Sequence, residues 1–216
     1  MSEAPILKDT VRSNGREALQ KNIQAAMALS EAIRSTLGPK GLDKLLIDDD
    51  GRTLVTNDGV TVLETAKVEH PVAKMMINAS STQDRIAKDG TTSTVILAGE
   101  MLQNAWRLIL QGIHPSTIAR GYRKSEQHLL ECISEILLDS NDEIKQSVVK
   151  TSLAGKGHKS MQEIIANIAL DAVEMVVEED STVDVSKIKL ISQTGGRVED
   201  SRVFRGLMIP KKRISS

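Results

Sequence analysis

Lys88-Asp89-Gly90-Thr91-Thr92-Ser93-Thr94 is the stretch whose residue types could do chemistry together. It runs straight into the apolar segment Val95-Ile96-Leu97-Ala98, so it reads as a polar loop opening a helix. The first N–H groups of a helix lack intrahelical partners and the macrodipole leaves partial positive charge there, which makes phosphate a natural ligand. Gly90 lets the backbone come close, Thr91, Thr92 and Ser93 add hydroxyl donors, and Asp89 adds a carboxylate. A carboxylate beside phosphates makes sense only with a cation between them, which suggests Mg2+ held by Asp89 and by phosphate oxygens. The same residues also suit an N-capped helix with Asp or Thr as the cap. Asp-Gly-Thr-Thr is short and is not a Walker A sequence, so the motif alone leaves both readings open.

Other chemistry-bearing residues have plainer alternatives. Leu37-Gly38-Pro39-Lys40-Gly41 joins two glycines and a cation, but it also ends a helix, since Gly caps readily and Pro cannot continue the ladder. Asp58, in Asn57-Asp58-Gly59, is an N-cap or a second functional carboxylate, and the cap is the better reading. Asp48-Asp49-Asp50-Gly51 lacks the downstream glutamate and spacing of a calcium loop and reads as a solvated turn. His70, His114 and His128 have no ligand spacing among them and suit surface or capping roles. Cys132, the single cysteine, sits among Leu129, Leu130 and Ile133, where a small buried hydrophobe is expected.

The elements that must position these residues follow from periodicity. Apolar spacing from Ala18 through Ile33 to Leu37 predicts a helix over about 16–36. Leu45-Leu46-Ile47 and Thr53-Leu54-Val55-Thr56 flank an Asp-Gly turn and predict a hairpin, which needs strands from elsewhere because two strands alone are marginal. A short helix over 60–66 and a helix opened by Pro71 lead to the central loop. A helix over 92–110 follows, then one restarted by His114-Pro115 and running to about Leu137. The polar patch Asp139-Ser140-Asn141-Asp142 marks a candidate domain boundary. Beyond it we expect a short helix over 144–153, a basic Gly155-Lys156-Gly157 loop and an amphipathic helix through Val177. Strands over Val183 to Leu190 and Val203 to Ile209 are then expected, with Gly195-Gly196 turning between them. The fold class is therefore mainly α, followed by a partial α/β segment.

Composition narrows the function. With 216 residues and 40% apolar content the chain can bury a real core, yet only 1% is aromatic, which suits Leu, Ile, Val, Ala and Met packing in helices. The balance of 28 basic and 29 acidic residues, net charge −1, lacks the basic excess of a nucleic-acid binder. A lone cysteine excludes an internal disulfide and fits a reducing compartment. The N-terminus has no signal pattern and no apolar run approaches a membrane span, so cytoplasm is the default and no membrane partner is expected.

Five pieces then coincide in one order: Thr36-Leu37-Gly38-Pro39-Lys40-Gly41, Thr56-Asn57-Asp58-Gly59, Val68-Glu69-His70-Pro71, Asp89-Gly90-Thr91-Thr92-Ser93 and Gly112-Ile113-His114-Pro115. Together they resemble a group II chaperonin subunit, nearest to the archaeal thermosome, over essentially the whole chain. The resemblance implies that residues 1–145 are the first part of a helical equatorial, ATP-binding domain and 146–216 the first part of an intermediate domain. It implies that Leu37, Gly38, Pro39, Gly90, Thr91, Thr92 and Ser93 enclose ATP, that Asp89 holds Mg2+, and that Asp58 positions the attacking water near the γ-phosphate. Lys156 looks like the lysine that senses the γ-phosphate, and the hairpin is similar to one that pairs with a neighbouring subunit. The implied partners are identical or related subunits in a double ring, and unfolded polypeptides gripped by an apical domain that is absent here.

Two departures stand against a simple transfer. Lys88 occupies a position where the family usually has glycine, within Arg85-Ile86-Ala87-Lys88 where an acidic stretch is usual. A complete family subunit also continues through the apical domain and returns with a further catalytic aspartate, so this chain is either a fragment or a shortened relative. The alternative function is a non-catalytic truncated paralogue, an assembly or regulatory module of a chaperonin ring.

Overall fold

The computed structural model describes residues 14–47, 50–66, 68–154, 158–179, 182–192 and 194–207. The chain divides into two compact units, Met1–Glu135 and Ile136–Ser216.

In the first unit, α1 (Gly15–Arg34) buries Ile23, Ala26, Leu29, Ser30 and Ile33, the i, i+3, i+4 stripe expected of it. It ends two residues earlier than its spacing suggests. The Thr36 N–H and Oγ1 both donate to the Ile33 carbonyl, at 2.9 and 2.8 Å, and tighten the exit before Gly38 takes φ +80°. Strands β1 (Lys44–Ile47) and β2 (Thr53–Thr56) pair antiparallel as expected, with Leu45 opposite Val55 and Leu46 opposite Leu54. Leu45, Ile47, Leu54 and Val55 are all exposed on this two-stranded sheet.

Helices α2 (Gly59–Thr65), α3 (Pro71–Ala87) and α4 (Thr91–Leu110) complete the core. Val62 and Leu63 from α2, Ala73 and Met76 from α3, and Val95 and Ile96 from α4 meet Ala26, Leu29 and Ile33 of α1. No aromatic ring enters this cluster, in keeping with the composition. Where Gly99 of α4 meets Ser30 of α1, an added Cβ would stand 2.5 Å from Ser30 Cβ, so that contact depends on glycine. Arg34 bridges the same pair of helices by its contact with Glu100. Pro71 stands at the first position of α3, where its missing N–H costs nothing. Helix α5 (Pro115–Ile136) buries only Ile118, and the Tyr122 hydroxyl donates to the Met101 carbonyl at 2.7 Å.

The second unit holds α6 (Asp142–Leu153) and α7 (Lys159–Glu174), packed on each other, and two 3₁₀ turns, Val185–Lys187 and Val198–Asp200. Here the sequence reading is corrected: among the described residues no strand forms over Val183 to Leu190 or at Val203. One isolated bridge, Val177 to Val183, is all that appears of the expected sheet. The reason is local. Asp184 accepts from the Ser186 N–H and hydroxyl, at 3.0 and 2.6 Å, and turns the chain just where alternation suggested extension. An apolar alternation also makes a strand only when a second strand satisfies its backbone, and none lies beside it among the described residues. Ile209 lies outside the described residues.

Candidate functional site

The turn before α4 is built by two left-handed residues around Asp89. Lys88 caps α3 at φ 55°, ψ 17°, and Gly90 caps α4 at φ 78°, ψ 10°. Lys88 is the single positive-φ residue other than glycine among the described residues, which is the backbone consequence of having lysine where glycine would be unstrained. Its ammonium pairs with Asp84 at 3.0 Å in an exposed setting.

Neither Asp89 nor a threonine caps α4, so the plain N-cap reading fails on geometry: the cap is Gly90 and no side chain accepts from the helix start. Asp89 Oδ1 instead accepts the Gly90 N–H at 2.7 Å. The Gly90 carbonyl accepts from the Thr94 N–H at 2.9 Å and from Thr94 Oγ1 at 2.8 Å, so the first turn is closed on its carbonyl side. Thr91 and Thr92 are buried, at 8% and 9% exposure, whereas Asp89 and Ser93 are exposed. Of the three hydroxyl residues expected to face a ligand, only Ser93 stands open to solvent.

Asp58 is a true N-cap: its Oδ2 accepts from the Thr61 N–H at 2.9 Å and from Thr61 Oγ1 at 2.6 Å. That does not remove it from the site. Gly59 packs so tightly on the start of α4 that a Cβ there would lie 2.2 Å from Thr92 Oγ1 and 3.3 Å from its backbone N. The fold thus brings the Asp58-Gly59 turn against the Thr91-Thr92 end of the central loop. Sequence reasoning missed two further contributors, Ser80 and Gln83 on α3. Ser80 Oγ donates to the Thr91 carbonyl at 3.2 Å and Gln83 Nε2 to the Asp89 carbonyl at 3.0 Å. Their i, i+3 spacing was a signal that they share one face.

Leu37, Gly38 and Pro39 lie exposed in a compact turn after α1, closed by the Gly41 N–H on the Gly38 carbonyl at 2.9 Å and the Leu42 N–H on the Ser35 carbonyl at 2.7 Å. A Cβ on Gly41 would strike the Thr36 carbonyl at 2.2 Å, so that closure needs glycine. Lys156 lies outside the described residues. The histidines take the capping roles expected: His70 Nδ1 accepts from the Val72 N–H at 3.3 Å and His114 Nδ1 from the Ser116 N–H at 3.3 Å. Cys132 differs from expectation. It is half-buried, with Sγ 3.8 Å from His128 Nε2, because α5 carries little packed against that face.

Residues 29–216 match the TCP-1/cpn60 chaperonin family. The chain belongs to that family. Among chaperonin-family relatives, it is 43% identical over 209 residues to the thermosome subunit beta of Archaeoglobus fulgidus, covering 94% of this chain and 38% of that protein. It is 42% identical over 206 residues to a thermosome subunit of Methanopyrus kandleri, covering 93% of this chain and 38% of that one. With the thermosome subunit alpha of Halobacterium salinarum it shares 36% identity over 221 residues, covering 100% of this chain and 39% of the relative. The chain therefore spans about two-fifths of the length of these chaperonin subunits. Among the described residues no helix is long and apolar enough to cross a membrane.

Proposed function

We propose that this chain carries the nucleotide-binding part of an ATP-dependent group II chaperonin subunit, acting in the cytoplasm to assist protein folding. The single observation that carries the proposal is the seating of Gly59, next to the exposed Asp58, on Thr92 of α4, whose start follows the exposed Asp89 and carries no side-chain cap. Two carboxylates beside a helix start whose N–H groups no side chain caps form a donor set suited to a metal–polyphosphate rather than to a bare anion.

The residues present fit Mg2+ and ATP. Asp89 would hold Mg2+ through its carboxylate, Oδ2 of which has no hydrogen bond among the described residues. The N–H groups of Thr91, Thr92 and Ser93 would take phosphate oxygens, and the Leu37-Gly38-Pro39 turn would close the nucleotide site. When bound, Mg2+ supplies charge neutralisation on the β- and γ-phosphates. Asp58 would orient water: its Oδ2 caps α2, while its Oδ1 has no hydrogen bond among the described residues. The buried Thr91 and Thr92 act as packing that fixes the loop, and Ser93 as its exposed hydroxyl.

The proposed partners are identical or related subunits of a double ring, with unfolded polypeptides as clients of the longer protein. The hairpin supports the ring: it consists of two paired strands with exposed apolar side chains and, on each, an edge that no other strand pairs among the described residues, a form that gains by strand addition. The test compares Mg-ATP binding and turnover in the 216-residue chain with those of a version extended by the remainder of a thermosome subunit. Binding in both forms with turnover only in the extended one supports the proposal. Absence of nucleotide binding in both refutes it.

A further inference from the structure

We propose that Gln83 is a positioning residue that sets the Asp89 carboxylate, an inference that rests on the nucleotide reading of the site. One peptide plane links the two residues. The Asp89 carbonyl and the Gly90 N–H belong to the same peptide unit, and no cis bond occurs among the described residues, so the two groups point to opposite sides. On one side the carbonyl accepts from Gln83 Nε2 at 3.0 Å; on the other the N–H donates to Asp89 Oδ1 at 2.7 Å. Gln83 therefore fixes the plane, the plane fixes the N–H, and the N–H fixes one carboxylate oxygen and leaves the other outward.

This turn needs such a hold. Asp89 lies between two left-handed residues, Lys88 and Gly90, and the first has a Cβ that disfavours that conformation. Its exposed ion pair with Asp84 is a weak restraint. Ser80, 1% exposed, pins the next carbonyl but one from the same face of α3, so the helix grips the loop at Asp89 and Thr91 on either side of Gly90. A Cβ at Gly90 would come within 3.3 Å of Gln83 Nε2, so the amide packs closely over Gly90.

The test uses the 216-residue chain with Gln83→Met, which keeps the length of the side chain and removes the donor. A non-hydrolysable ATP analogue is titrated with and without Mg2+, and the Gly90 amide is followed by NMR in the ligand-free chain. The expected result is a loss of about three- to tenfold in Mg-dependent affinity, the effect of one hydrogen bond, with metal-free affinity unchanged. The Gly90 amide resonance should shift and its exchange quicken, while α1 amides stay as they were. Ser80→Ala should act in the same direction and more weakly, because the Thr91 carbonyl keeps its helical partner. A Gly90 amide and an Mg-dependence both equal to wild type overturn the role of Gln83. A wild-type chain that binds no nucleotide, with the Gly90 amide still responding to Gln83→Met, overturns the nucleotide reading and with it the carboxylate-setting role.

Discussion

Replacing Gly59 by alanine tests the contact on which the site geometry turns. The added Cβ would stand 2.2 Å from Thr92 Oγ1, more than 1 Å short of ordinary contact, which begins at 3.4 Å. Turning the Thr92 hydroxyl aside relieves most of the clash but not all of it, because Thr92 Cβ and backbone N remain at 3.3 Å, a little inside ordinary contact, and belong to α4 itself. Helix α2 must shift, taking Val62 and Leu63 with it, both buried in the core. Overpacking of this kind costs about 1–3 kcal/mol. Alanine recovers up to about 1 kcal/mol of helix propensity over glycine, so the net loss is about 0–2 kcal/mol. A double-mutant cycle with Thr92→Ala separates the two effects, because removing the hydroxyl opens room for the new methyl. A favourable coupling of about 1 kcal/mol is expected between the two substitutions. The assay is urea unfolding followed by fluorescence of Trp106, the single tryptophan, which lies on α4. Strict additivity, with Gly59→Ala more stable than wild type, would show that α2 does not seat on α4 as described.

Asp58→Ala should cost about 1 kcal/mol as a lost N-cap, whereas Asp58→Asn should keep that stability yet abolish turnover in an extended subunit; equal turnover in the Asn variant would leave Asp58 a cap only. Lys88→Gly should raise stability by about 1 kcal/mol in the Trp106 assay, since it relieves the left-handed cap and gives up only an exposed ion pair; a loss of stability would contradict the strain. The Ser186 hydroxyl, then its N–H, holds the Asp184 carboxyl below its ordinary value. A lowered carboxyl stabilises the fold above its unfolded pKa and loses that contribution as pH falls through the folded one. The pH response of the Ser186 amide resonance should therefore have its midpoint below the ordinary aspartate value. Ser186→Ala should raise the pH of that change, and an unmoved midpoint would refute the hydroxyl's part.

Helices were legible because their signals are local: the stripe from Ile23 to Ile33, Pro71 at an opening position and Gly38-Pro39 at an exit each act within a turn or two. The hairpin was legible for the same reason. The stretch after Val183 was not, since alternation there competes with an Asp184 side chain that bonds its own backbone, and a strand requires a partner that periodicity cannot supply. At the candidate site, the sequence singled out Asp58, Asp89 and Gly90 with no sign that Thr91 and Thr92 would be buried. Thr92 is covered by Gly59, a residue over 30 positions away whose lack of a side chain lets α2 close on α4, and Thr91 is held by Ser80 of α3. Gln83 went unnoticed because an amide on a helix face looks like any solvated residue until the loop folds back to meet it.

Amide shift mapping of the 216-residue chain with a Mg-bound, non-hydrolysable ATP analogue asks whether the turn before α4 takes the nucleotide. Saturable, Mg-dependent shifts at Asp89, Gly90, Thr91, Thr92 and Ser93 and at Gly38, absent in Asp89→Ala, are expected. Shifts confined to other parts of the chain, or the same shifts in Asp89→Ala, would contradict the nucleotide reading.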